Sequence, residues 1–197
     1  MAPAEAGCWN GGIVMDAAVV YESIFGNTRS VAEAIAAGVR DADPAARVSV
    51  LRAAEARPAD VAGAGLLVVG GPTHIMRMSS ARTRQQGLAS AQQGDGAHRP
   101  PEPAAAGPGI REWLAALPAA PPGGQAAAFD TRLGYPLAGS AASPAARELR
   151  RHGYRLAAKA AGFVVTGSAG PLREGELGRA RTWGAILARQ AALAARG

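Results

Sequence analysis

DAAVVYESIFGNTRSVAEAIAAGV, residues 16–39, changes its period once, and the place where it changes decides the architecture. Ala17 to Tyr21 is a short apolar run with β-branched content, suited to a strand buried on both faces. The run breaks at Ser23-Ile24-Phe25-Gly26-Asn27-Thr28. From Val31 the apolar residues recur at helical spacing, with Val31, Ile35 and Val39 four apart and Ala32 and Ala36 beside them. A strand that turns through a hydroxyl, Gly, Asn and a hydroxyl straight into a helix leaves backbone N–H groups free at the helix N-terminus. Such an end attracts anions, phosphate above all. The plainer reading is a strand-to-helix turn whose Asn or Thr caps the helix.

The turn is not one of the commoner nucleotide loops: GxxxxGK followed by Ser or Thr is absent, GxGxxG is absent from it, and the chain's only lysine, Lys159, is far away. Phosphate held by hydroxyls and amides suits a tightly kept cofactor better than a nucleotide whose γ-phosphate is transferred. Outward from this stretch, Arg47–Leu51, Gly65–Gly70, Gln125–Phe129 and Phe163–Gly167 read as further strands. Helical segments separate them: a brief one from Pro58, one at Gly109–Leu117, one opening at Ser143-Pro144 as cap and first residue, and one from about Glu174 to Ala195. In this last helix Leu177, Ala180, Trp183, Leu187 and Ala191 are expected to face the sheet. Alternating strands and helices predict a parallel sheet between two helix layers. Ligands of such sheets bind beyond the carboxyl ends of the strands. The informative segments are therefore Gly70-Gly71-Pro72-Thr73-His74-Ile75-Met76 and Asp130-Thr131-Arg132-Leu133-Gly134-Tyr135-Pro136.

YESIFGNT resembles the FMN-phosphate loop of flavodoxins, in which two hydroxyl residues separated by one other residue precede Gly-Asn-Thr. Ser23, Gly26, Asn27 and Thr28 match; Phe25 stands where the second hydroxyl is usual, and Arg29 is placed to offset that loss with charge. Pro72 and Thr73 match the loop that flavodoxins fold over the flavin ring, with His74 where an aromatic residue is common. Asp130 and Tyr135 resemble the second flavin-flanking loop, with Phe129 in place of its glycine. The resemblance implies a five-stranded, doubly wound α/β flavodoxin-like sheet in order 2-1-3-4-5, helices on both faces, and noncovalent FMN. The cofactor contacts it implies are Ser23, Ile24, Phe25, Gly26, Asn27, Thr28, Pro72, Thr73, His74, Asp130, Thr131, Arg132 and Tyr135. A carbonyl of Gly70 or Gly71 is expected within reach of flavin N5, since glycine permits close approach. No side chain need act as a nucleophile. The implied function is electron transfer or flavin-dependent oxidoreduction with a redox partner protein or a small-molecule acceptor. The alternative is a flavodoxin-like scaffold that has lost FMN and serves as an interaction module.

The 197 residues, 48% hydrophobic, suffice for one core. Residues 1–14 read as an extension with little structure ahead of a domain over 15–197, and 77–108, polar and basic and then rich in Gly, Pro and Gln, as a flexible insert. No apolar run is long enough for a membrane span, and the N-terminus lacks the pattern of a signal peptide. Cys8, alone, allows no intramolecular disulfide and points to a reducing cytoplasm. His74, His98 and His152 are too widely spaced for a metal cluster. The net charge of +6 is spread over scattered arginines without interleaved aromatics, which argues against nucleic acid.

Overall fold

The computed structural model describes residues 14–74, 76–93, 100–135 and 137–195, so the expected 1–14 extension, with Cys8, lies outside the described residues apart from Val14. Along the chain stand β1 (Asp16–Tyr21), α1 (Asn27–Ala42), β2 (Arg47–Arg52), a single 3-10 turn at Pro58–Val61, β3 (Leu66–His74) and β4 (Arg77–Met78). Then come α2 (Ala81–Gln93), α3 (Ile110–Ala115), β5 (Gln125–Leu133), α4 (Ala142–Arg151), β6 (Arg155–Leu156), β7 (Ala161–Val165) and α5 (Glu176–Ala194).

The sheet runs β2-β1-β3-β5, with β6 and β7 both parallel to β5 along its far side. β6 and β7 together fill the fifth position, so the order is the expected 2-1-3-4-5 with its last strand broken in two. Strand alternation divides the core. Ala17, Val19, Tyr21, Leu66, Val68, Ala127 and Phe129 face α1 and α5, while Ala18, Val20, Leu67, Val69, Ala126 and Ala128 face α3 and α4. β1, β3 and β5 are thus apolar on both faces, as crossover-connected parallel strands must be.

Helices α1 and α5 cross closely. A Cβ at Gly38 would overlap the Arg181 carbonyl oxygen, and one at Gly184 would overlap that of Ile35. Each helix therefore has a glycine where the other's backbone passes.

Three boundaries and one helix face differ from the expectation. β3 continues to His74: Gly71 and Pro72 pair with Asp130 and Thr131 of β5, and Thr73 and His74 then pair antiparallel with Met78 and Arg77. Pro72-Thr73-His74 is therefore one arm of a hairpin rather than a loop. β5 likewise extends to Leu133 because β7 pairs with it over Phe129–Leu133, so Asp130, Thr131 and Arg132 lie on a strand. Helix α4 begins at Ala142, one residue before Ser143, because its end is capped from elsewhere: Asp130 Oδ2 accepts the Ala142 N–H at 2.9 Å, and Ser140 Oγ accepts the Ser143 N–H at 3.1 Å. Leu177 turns outward, while Ala180, Trp183, Leu187 and Ala191 face the sheet as expected, joined by Gly184 and Ala188, with Trp183 edge-on to Phe163 and Glu176 buried between Arg173 and Arg179.

Within 77–108 the chain forms β4 and α2. Arg84 of α2 is buried and joins a polar cluster: its Nη1 lies 3.1 Å from both Ser79 Oγ and Glu112 Oε2, and Ser79 Oγ donates to the buried carboxylate of Glu22. The Ile110 N–H completes the cluster, donating to Glu22 Oε2 at 2.9 Å. Among the described residues no helix is long and apolar enough to cross a membrane.

Candidate functional site

A cleft of about 460 Å³ opens at the carboxyl ends of β1, β3, β5 and β7, a volume suited to a small organic ligand. Its floor is the 23–28 turn. Gly26 has a φ of 84°, a left-handed conformation that an L side chain resists, and it swings the chain into α1. The first helical N–H to find an intrahelical acceptor is that of Ser30, on Gly26 O at 3.0 Å. Asn27 and Thr28, which precede it, line the cleft.

The hydroxyls add donors. Ser23 Oγ accepts the Gly26 N–H at 3.0 Å and keeps its own proton for another acceptor. Thr28 Oγ1 and Thr131 Oγ1 are 2.8 Å apart; one donates to the other, leaving the second proton free. The Asn27 side chain is committed, donating to Ala169 O at 2.9 Å, which ties the turn to the segment after β7. The floor thus offers hydroxyl protons and amides, and the lining contains no carboxylate. Such a donor-bearing surface without carboxylates, at the positive end of a helix, is chemically matched to phosphate, and it remains accessible beside the half-buried Phe25 ring.

The walls come from two hairpin-like turns. Pro72, Thr73 and His74 stand on one side, with Thr73 Oγ1 accepting the Ala141 N–H at 2.9 Å. Gly87 of α2 backs His74 closely, and burial first, then the Arg84 guanidinium, holds the imidazole below its ordinary pKa, so it is neutral at pH 7. Thr131, beside Pro72 on the paired strand β5, continues the lining to Arg132 and Tyr135. Met76, Tyr135 and Leu137 form an apolar rim, 57%, 56% and 76% exposed. The backbones of Met76 and Gly139 touch in an isolated bridge, which leaves no room for a Cβ at position 139.

Of the residues expected at a cofactor, Ser23, Ile24, Phe25, Asn27, Thr28, Pro72, Thr73, His74, Thr131, Arg132 and Tyr135 line this one cleft. Gly26 shapes it from behind. Asp130 does not reach it: fully buried, it holds Ser140 Oγ at 2.7 Å and the Ala142 N–H, and its other oxygen lies 3.3 Å from Arg132 Nε. Gly70 and Gly71 also lie outside the lining. Gly70 O accepts the Glu22 N–H at 2.9 Å, and the space at its Cα is taken by the Phe129 ring. Arg29 turns away to Glu102, 3.0 Å, and Glu33, 3.7 Å. Met76 lines the cleft while Met78 joins the core, which separates two methionines that sequence treats alike. Val165, the last residue of β7, and Ser168 beyond it also line the cleft. The rule that ligands sit beyond strand ends applies to that strand too and would have found them.

A scan against models of protein families gives no match, and neither does a comparison with curated protein sequences. Solved structures do match. A flavodoxin from the domain Archaea is 20% identical with a TM-score of 0.61, covering 90% of this chain and 99% of its own. Flavodoxin 2 from Bacillus cereus is 16% identical with a TM-score of 0.61, covering 88% of this chain and 98% of its own. A flavodiiron core from Synechocystis is 16% identical with a TM-score of 0.60, and the matched region is 92% of this chain but 37% of that one. Strand order, the two helix layers and these likenesses agree: the chain has the flavodoxin-like fold.

Proposed function

We propose that the cleft binds FMN noncovalently and that the chain works as an electron carrier or a flavin-dependent oxidoreductase. It would exchange electrons with a redox partner protein or a small-molecule acceptor. The observation that carries this reading is the donor-bearing floor: amides of Asn27 and Thr28 with the hydroxyls of Ser23, Thr28 and Thr131, at the N-terminus of α1 and free of carboxylates. The phosphate would rest there. The ring system would lie between the His74 wall and the Tyr135 wall, its edge toward Met76 and Leu137. FMN would supply the redox chemistry when bound, and the protein would supply orientation, with a neutral imidazole at His74 and a guanidinium at Arg132 that is paired with Asp130. Neutral His74 can donate or accept one hydrogen bond without placing a charge beside the ring. The likeness to flavodoxins supports the same assignment at the level of fold.

A second reading, a scaffold that no longer takes FMN, is favoured by one observation: the side chains of Ser23, Asn27 and Thr28 already have partners within the protein. Titrating the full chain into FMN separates the two. Quenching of flavin fluorescence at one equivalent, with a raised melting temperature, is expected. A chain that leaves FMN fluorescence and its own melting temperature unchanged would overturn the flavin reading and favour the scaffold.

A further inference from the structure

Behind the floor of the cleft lies a carboxylate that the site as described does not use. Glu102 belongs to the segment between α2 and α3, and its N–H donates to the Ile24 carbonyl at 2.7 Å, which fastens that segment to the 23–28 turn. Its side chain is 8% exposed. The carboxylate faces Arg29 Nη1 at 3.0 Å and Arg52 Nη2 at 3.5 Å, and neither of its buried oxygens has a hydrogen-bond partner. Arg52 also reaches Ser23 O at 3.5 Å, so the same guanidinium touches both the turn and the acid. Glu33 is a second, exposed neighbour of Arg29 at 3.7 Å.

A buried carboxylate without hydrogen bonds is costly to keep, and here its compensation is the charge of two arginines. Arg29 is the residue directly after Thr28, in the first turn of α1, where a cation would otherwise reinforce the attraction of the helix end for an anion. Glu102 offsets that cation, and it also draws on Arg52, which reaches the Ser23 carbonyl. The other arginine at the cleft, Arg132, is likewise paired with a carboxylate, that of Asp130. The groups that line the phosphate end, Ser23, Asn27 and Thr28, are themselves neutral.

We propose that Glu102 is a specificity-determining residue: its ion pair with Arg29 weakens the preference of the cleft for a phosphorylated over an unphosphorylated flavin. The inference rests on the flavin reading for its ligand. Glu102→Gln keeps the shape and the backbone bond to Ile24 while removing the charge. In titrations followed by flavin fluorescence, this variant is expected to bind FMN about five-fold more tightly, the size of one screened charge interaction, with riboflavin affinity unchanged. Arg29→Gln, which leaves Glu102 less compensated, is expected to weaken FMN and spare riboflavin, and it keeps the test decisive if the first variant folds poorly. Equal changes for FMN and riboflavin, or no change for FMN, would overturn the proposal. Thermal unfolding in inorganic phosphate gives a readout without flavin. If the wild type binds neither flavin, the flavin reading falls, and the phosphate arm still decides on Glu102. A larger phosphate-induced rise in melting temperature in Glu102→Gln than in wild type supports its role, and an equal or smaller rise overturns it.

Discussion

Thr28 and Thr131 meet from elements far apart in sequence and share a hydroxyl hydrogen bond on the cleft floor. A shared pair of this kind leaves one proton to give, and Thr28, in the first turn of α1, is the member we place at the phosphate. Thr28→Ala is expected to weaken FMN by about 0.5–1.5 kcal/mol, or roughly two- to twelve-fold, while leaving riboflavin unaffected. Isothermal titration with both ligands checks this, and an equal loss for both would remove Thr28 from the phosphate end. Ser23 is arranged differently. By accepting the Gly26 N–H it organises the turn itself, which takes that amide out of the anion-binding set and leaves those of Asn27 and Thr28. Phe25 costs the site a hydroxyl, and no arginine replaces it, because Arg29 is held by Glu102.

The close crossing of α1 and α5 makes a sharp contrast between two glycines. Gly38→Ala would force a methyl group onto the Arg181 carbonyl and is expected to destabilise the protein by about 1–3 kcal/mol. Gly178 of α5 has open space around it, and Gly178→Ala is expected to stabilise by about 0.5–1 kcal/mol through helix propensity alone. Urea unfolding of both variants checks the pair, and similar values for the two would show that the helices do not pack as closely as described. The large helices were legible in the sequence because their apolar residues follow period 3.6, as Val31, Ile35 and Val39 do, and the central strands because they are short unbroken apolar runs, as Leu66–Val69 is. The extensions of β3 and β5 were not, since Pro72-Thr73-His74 and Asp130-Thr131-Arg132 have no apolar alternation and become strand only through their neighbours. Helix α2 escaped for a related reason. ARTRQQGLASAQQ has helix-forming residues but almost no apolar stripe, and its packing depends on Arg84, whose partners Ser79 and Glu112 are brought together by the fold. The 23–28 turn and the two walls were legible because a motif holds them locally. The capping role of Asp130 was hidden, since it depends on where α4 begins.

The polar cluster around Glu22 joins β1, α2 and α3 and so reports on the folded molecule as a unit. Burial raises the Glu22 carboxyl above its ordinary value of 4.5, against the smaller opposing effects of Ser79, Ile110 and Arg84. The folded state then keeps a proton that the unfolded chain has released. The stability this confers is full below about pH 4.5 and is lost as pH rises through the folded value. Chemical denaturation from pH 4.5 to 8 is therefore expected to show wild-type stability falling relative to Glu22→Gln, and a difference independent of pH would contradict it. The same global view explains why the broken fifth strand does no harm. The outer side of β7 is engaged by its own chain: Val165 bridges to Leu172, the Arg173 N–H donates to Val164 O at 2.8 Å, and the Arg179 guanidinium donates to Gly162 O. A sheet whose last border is interrupted and then occupied offers a neighbouring molecule no continuous ladder to join, so this margin is guarded against the strand-by-strand growth that turns open sheets into fibrils.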